Sequence, residues 1–88
     1  MWFVYGLLCK DNFLYIGSTD NLKRRMFEHD SGECSTSKNR LPCNLVFYIA
    51  VKTEKIARNL EKYLKTGSGK AILKKRILTD EASSQDEA

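Results

Sequence analysis

Trp2-Phe3-Val4-Tyr5-Gly6-Leu7-Leu8-Cys9, then Lys10-Asp11-Asn12, then Phe13-Leu14-Tyr15-Ile16-Gly17, is the stretch that decides the fold. Its first run is nearly all apolar and rich in aromatic and β-branched types, which favours a strand buried on both faces. Lys10-Asp11-Asn12 supplies turn chemistry, because Asp and Asn satisfy neighbouring backbone and tolerate left-handed angles. Phe13 to Gly17 then reads as the return strand of a hairpin. Gly17 at its end marks a close backbone approach or a tight exit. Side chains alternate across a strand, so Tyr5 and Tyr15 can meet on one surface. That surface is either core or a site.

Working outward, Ser18-Thr19-Asp20-Asn21 is a cluster of helix-capping types, and a helix is expected directly after it. Leu22, Arg25, Met26 and His29 share one face of that helix, while Lys23, Arg24 and Glu28 are expected to point to solvent. A charged and a titratable residue inside an apolar stripe are unusual for plain core. Residues 30–42 read as a long loop carrying Lys38 and Arg40 and ending at Pro42. Cys43 to Val51 is the strongest strand signal and is expected at the centre of a small sheet. Thr53 is expected to cap a second helix reaching about Thr66 and closed by Gly67, with Ile56, Leu60, Tyr63 and Leu64 as its apolar face. Ser68 is expected to cap a short third helix. The order is ββαβαα: an α+β domain with a three-stranded antiparallel sheet flanked by helices.

Eighty-eight residues make one domain with a modest core. No stretch approaches the roughly 20 apolar residues that span a bilayer, and the start lacks a signal peptide's basic region. A cytoplasmic protein with no membrane partner is expected. Cys9, Cys34 and Cys43 stand at no metal-finger spacing and are expected to be reduced thiols. Four of the eleven acids but none of the fifteen bases fall in residues 80–88, so residues 1–79 carry a net charge of +8. Such a domain favours polyanions. The domain is read as 1–79, and the acidic 80–88 tail is expected to be disordered.

These residues together resemble the GIY-YIG nuclease family over about residues 2–75. Phe3-Val4-Tyr5 stands at the first half of the family's name, and Tyr15-Ile16-Gly17 matches the second half to the letter. Gly17-Ser18-Thr19, Leu22, Arg25 and His29 continue the first-helix signature. Ala57 to Lys65 is similar to the family's second helix, with its acidic metal ligand at Glu61. The likeness is greatest to small stand-alone bacterial members, which share the Lys65-Thr66-Gly67-Ser68-Gly69-Lys70 run, and extends to the catalytic domain of the excision-repair nuclease subunit that makes the 3′ incision. Phe3 replaces the glycine of the name, Ser18 stands where some repair nucleases carry lysine, and Asp30 where many relatives carry asparagine.

The resemblance implies a metal-dependent DNA endonuclease acting in repair or recombination. A chain this short with no appended specificity domain is expected to select branched, flapped or nicked DNA by structure, with a protein partner possible for targeting. The implied catalytic set is Tyr5, Tyr15, Arg25, His29 and Glu61. One tyrosine activates or positions water, and the residues do not distinguish which. A phenol's ordinary pKa of about 10 must fall, beside a cation such as Arg25, for it to act as a base at neutral pH. Arg25 offers a fork that pairs two phosphate oxygens. Glu61 is implied to hold one Mg²⁺, with Mn²⁺ as the alternative, largely through water. Lys23, Arg24, Lys38, Arg40, Lys70, Lys74 and Lys75 are candidate phosphate contacts.

Each residue also has a plain reading: core tyrosines, a surface arginine, a histidine at a helix end, and a Glu61–Lys65 pair one turn apart. Trp2 and Tyr48 read as core. The joint spacing favours the site. Two other readings stay open, a nucleic-acid-binding module with negligible turnover and an interaction domain for an acidic partner.

Overall fold

The computed structural model describes residues 1–10, 12–31 and 42–78. Strand β1 (Trp2–Cys9) and strand β2 (Leu14–Thr19) form the expected hairpin. Asn12 in the turn takes a positive φ of 65°, the left-handed backbone that Asn accepts more readily than most residues. Helix α1 (Leu22–Asp30) follows, its N-cap Asn21 accepting from the backbone N–H of Arg24 at 3.0 Å. Strand β3 (Cys43–Val51) leads to helix α2 (Glu54–Leu64), helix α3 (Gly67–Ile72) and a π-helical turn, Leu73–Ile77.

The sheet order is β2-β1-β3, all antiparallel. The central strand is therefore β1, and β3, expected at the centre, lies at an edge. An apolar run reports hydrophobicity but not the number of neighbours. Both β2 and β3 pair with β1, which leaves β3 one open side. Its Leu45, Val46 and Tyr48 are correspondingly exposed, so Tyr48 is not core. Trp2 does pack against the core as expected.

Side chains from alternate positions of β1 build two cores. Val4 and Ile16 meet Ala57 and Leu64 of α2 and Leu73 on one face. Tyr5, Leu7, Cys9 and Cys43 lie on the other, against Leu22 and Met26 of α1. The β1–β3 register shifts between Gly6 and Leu7, a bulge that brings Cys43 opposite Cys9. Those two sulfurs are joined as a disulfide, so the expectation of three reduced thiols does not hold for this pair. Thirty-four residues separate them, and only strand pairing brings them together. Cys34, Lys38, Arg40 and the 80–88 tail lie outside the described residues.

Helix α2 begins where expected, with Thr53 Oγ1 accepting from Ile56 N–H at 3.2 Å. It ends earlier than expected, at Leu64. Thr66, not Ser68, caps α3, accepting from Gly69 N–H at 3.1 Å, and Gly67 is the first residue of α3, not a C-terminal stop for α2. Ala57 and Leu64 are the buried positions of α2, while Ile56 and Tyr63 are largely exposed. The sheet meets the helix along a narrower stripe than the hydrophobic pattern suggested.

The α2–α3 corner depends on a glycine. A Cβ on Gly69 would collide with the carbonyl oxygen of Tyr63 and lie 2.6 Å from Leu64 Cα. Backbone is the obstacle, so relief requires moving a helix. Gly69→Ala is expected to destabilise the domain by about 1–3 kcal/mol in urea unfolding; an unchanged midpoint would show that the corner is looser than its geometry.

Candidate active site

The site is built on the α1 face of the hairpin. Tyr5 and Gly17 are directly opposite in the β1–β2 register. With no side chain on Gly17, the Tyr5 ring lies flat against the strand: a Cβ there would stand 2.6 Å from Tyr5 Oη and 3.0 Å from Tyr15 Cε1. The close approach expected at Gly17 is thus an approach by both tyrosines.

His29, at the end of α1, closes the cluster. It is 1% exposed and shares a 3.1 Å hydrogen bond between Nε2 and Tyr5 Oη. Its ring stands edge-on to both tyrosines, with centroids 5.8 Å from Tyr5 and 5.2 Å from Tyr15. The two tyrosine rings are 6.2 Å apart. Burial chiefly, and then the positive charge of Arg25, hold the imidazole below its ordinary pKa of 6.5, against the opposing pull of Glu28 and Asp30. At neutral pH it is uncharged.

Tyr5 and Tyr15 differ in access. Tyr5 is 1% exposed and engaged with His29, whereas Tyr15 is half-buried and lines an open cavity of about 320 Å³ with Phe13, Lys65 and Lys70.

Arg25, one turn before His29, is half-buried. Its Nε lies 3.3 Å from Glu28 Oε1, close enough for an ion pair, but the N–H is not aimed at that oxygen, and this buried nitrogen has no hydrogen-bond acceptor among the described residues. Glu28, expected in solvent, is half-buried and lies between Arg24 and Arg25. Arg24 also pairs with Asp20 at 3.4 Å. Lys23, Lys70, Lys74 and Lys75 are exposed, as phosphate contacts require.

Glu61 arrives from the other face of the sheet. It is carried by α2, and its Oε1 accepts a 2.6 Å hydrogen bond from Ser18 Oγ on β2. Its Oε2 accepts from Lys65 Nζ at 2.9 Å, the helical pair that the i, i+4 spacing allows. Burial alone would raise the carboxyl's pKa; the Ser18 and Lys65 hydrogen bonds, with the charges of Lys65 and Arg58, outweigh it and hold the group below its usual range. The structure thus gathers Tyr5, Tyr15 and His29 in direct ring contact, with Arg25 beside them. Glu61 is linked to them through Ser18, the neighbour of Gly17. Ser18 is the contributor that sequence reasoning placed among helix-capping types and at the position of a missing lysine, not as a partner of Glu61. Its even position on β2, in step with Ile16, was the available signal that it faces α2.

An ionised, partly exposed carboxylate is a hard oxygen donor suited to one Mg²⁺ held mostly by water. Both oxygens keep a lone pair beyond their present hydrogen bonds. No group of three or more candidate metal-ligating side chains occurs among the described residues.

Fold and site together define a GIY-YIG domain. The chain matches the GIY-YIG catalytic domain family over residues 1–76 and belongs to that family. Members of the family are in general nucleases that bind DNA and use a divalent metal. It is similar to a UPF0213 protein of Natronomonas pharaonis, 36% identical over 80 residues covering 90% of this chain and 92% of the relative. The UPF0213 protein YazA of Bacillus subtilis is 33% identical over 87 residues, covering 98% and 85%. The solution NMR structure of the UPF0213 protein BH0048 from Bacillus halodurans superposes with a TM-score of 0.59 at 28% identity, covering 98% of this chain and 96% of that one. The chain is a small GIY-YIG protein of the UPF0213 kind.

His29 is the sole histidine, so its titration can be read by NMR without assignment ambiguity. Its midpoint is expected below 6.5, and Arg25→Gln is expected to raise it only part of the way, since burial is the larger cause. Because the folded pKa is depressed, the contribution to stability is complete above pH 6.5 and is lost as pH falls through the folded midpoint. A midpoint at or above 6.5 would contradict the packing of the ring. Ser18→Ala is expected to cost on the order of 1–3 kcal/mol at pH 7 by urea unfolding, since it removes a hydrogen bond to an ionised group; no loss would mean that water replaces the serine at no cost.

Proposed function

We propose that the protein is a metal-dependent, structure-selective DNA endonuclease that hydrolyses phosphodiester bonds in repair or recombination. The observation that carries this reading is the Arg25 guanidinium, whose buried Nε has no acceptor among the described residues although it stands beside the Tyr5–His29–Tyr15 cluster. Arg25 Nε lies 3.3 Å from the Glu28 carboxylate without a hydrogen bond to it, and the planar fork suits two phosphate oxygens and the charge that grows on them in the transition state.

In hydrolysis, water adds to phosphorus, the bond to the departing oxygen breaks, and the water's proton leaves with a base. Tyr15 is the phenol with access to substrate and is assigned to hold that water. Tyr5, buried and bonded to His29, is a positioning residue for the aromatic floor. Glu61 would hold the divalent ion, which supplies Lewis-acid stabilisation of the departing oxygen when bound. β2 is an edge strand, so a phosphate at its free side can address both the tyrosine face and Glu61.

One observation favours a second reading, a nucleic-acid-binding module without turnover: both Glu61 oxygens already accept hydrogen bonds, from Ser18 and Lys65. End-labelled flapped, nicked and four-way DNA incubated in Mg²⁺ separates the two. Cleavage is expected, falling at least about 100-fold in Arg25→Ala and in Glu61→Ala. Intact substrates that nonetheless bind with a steep salt dependence would replace the nuclease with the binding module.

A further inference from the structure

The free edge of β2 is flanked by a furrow made of two cavities, which meets the catalytic cluster only at Tyr15. A cavity of about 320 Å³ lined by Phe13, Leu14, Tyr15, Lys65 and Lys70 adjoins one of about 290 Å³ lined by Leu8, Phe13, Leu14, Lys70 and Lys74. The two share Phe13, Leu14 and Lys70. One end opens at Tyr15 and at Lys65, whose ammonium holds Glu61, and the other passes along α3 and the π-helical turn.

The lining has two chemical parts. Its floor is apolar, with Leu8, Leu14 and Phe13, a residue 40% exposed. Lys65, Lys70 and Lys74 form its rim, and no carboxylate is among its described lining residues. Lys70 and Lys74 form no ion pair with another described residue. An occupant must therefore be apolar and flat towards the floor and anionic towards the rim.

We propose that this furrow binds an unpaired DNA strand, one base stacking on Phe13 while Lys70 and Lys74 contact the flanking phosphates, and leads that strand to Tyr15. A duplex does not meet the requirement, because its bases are stacked on each other and its outer surface is phosphate. An unpaired strand presents both faces at once, and aromatic stacking with cationic contacts is how proteins hold such strands without regard to sequence. The inference rests on the nuclease reading for its purpose, and names the part of a flapped or branched substrate that the site would take.

Fluorescence anisotropy in EDTA, where no cleavage occurs, tests it with fluorescein-labelled (dT)12 and a blunt 12-base-pair duplex on the full chain. Phe13→Ala is expected to weaken (dT)12 binding about tenfold or more while changing duplex binding less than about twofold, and Phe13→Trp is expected to retain it. Lys70→Gln with Lys74→Gln is expected to lower the log–log salt slope for (dT)12 by about 1.4, or about 0.7 for each phosphate that a lysine no longer neutralises. Circular dichroism confirms that each variant is folded. Wild-type (dT)12 affinity in both Phe13→Ala and the lysine pair would overturn the proposal. So would an equal loss for duplex, or displacement of (dT)12 by poly-glutamate as readily as by unlabelled (dT)12, which would identify an acidic peptide site. Binding is read without turnover, so the two readings fail separately. A chain that cleaves nothing yet loses (dT)12 in Phe13→Ala keeps the furrow and not the nuclease; a chain whose cutting requires Arg25 but whose (dT)12 binding ignores Phe13 does the reverse.

Discussion

The contact between the Tyr5 ring and the bare backbone of Gly17 is the constraint on which the site depends. These residues are opposite one another in the hairpin, and the space a Cβ would fill at position 17 is taken by Tyr5 Oη and the edge of Tyr15. A Cβ there would force the Tyr5 ring to shift and crowd Tyr15, disturbing the 3.1 Å bond that joins Tyr5 to His29. From that contact the rest follows in order. Tyr5 lies flat, His29 closes over it, and α1 is brought against the sheet with Arg25 one turn behind.

Charge is then distributed unevenly across the two faces of β2. On the α1 side, burial and Arg25 keep His29 neutral, so the aromatic cluster is an uncharged floor beside one guanidinium. On the α2 side, Ser18 and Lys65 keep Glu61 ionised despite its partial burial. A small domain has little interior in which to protect such groups. This one places both at the margin of a three-stranded sheet, where an edge strand gives a ligand access to both sides.

Much of this was legible in the residues. The apolar runs flanking Lys10-Asp11-Asn12 defined the hairpin, and Thr53 marked the start of α2. The order of elements followed from periodicity, strand composition and the turn and capping residues together. Strand position did not, because the apolar pattern of Cys43 to Val51 is the same for a central strand as for an edge strand with exposed Leu45, Val46 and Tyr48. The end of α2 was also misplaced: Thr66 and Gly67 carry signals both for ending one helix and for starting the next, and the packing of Gly69 against the Tyr63 and Leu64 backbone is a contact that no local pattern records.

By itself the sequence determined which chemical groups are present and their order: two phenols on a hairpin, an arginine and a histidine four residues apart, and one carboxylate on a later helix. Local spacing fixes which groups share a strand or a helix face, because those periods are set by backbone geometry. The tertiary structure alone decided which groups from different elements touch. It paired Cys9 with Cys43 across 34 residues, buried Tyr5 while leaving Tyr15 accessible, and gave Glu61 its hold on Ser18. Those outcomes depend on sheet register and on the angle at which each helix crosses the sheet, and register is set by pairing between segments distant in sequence.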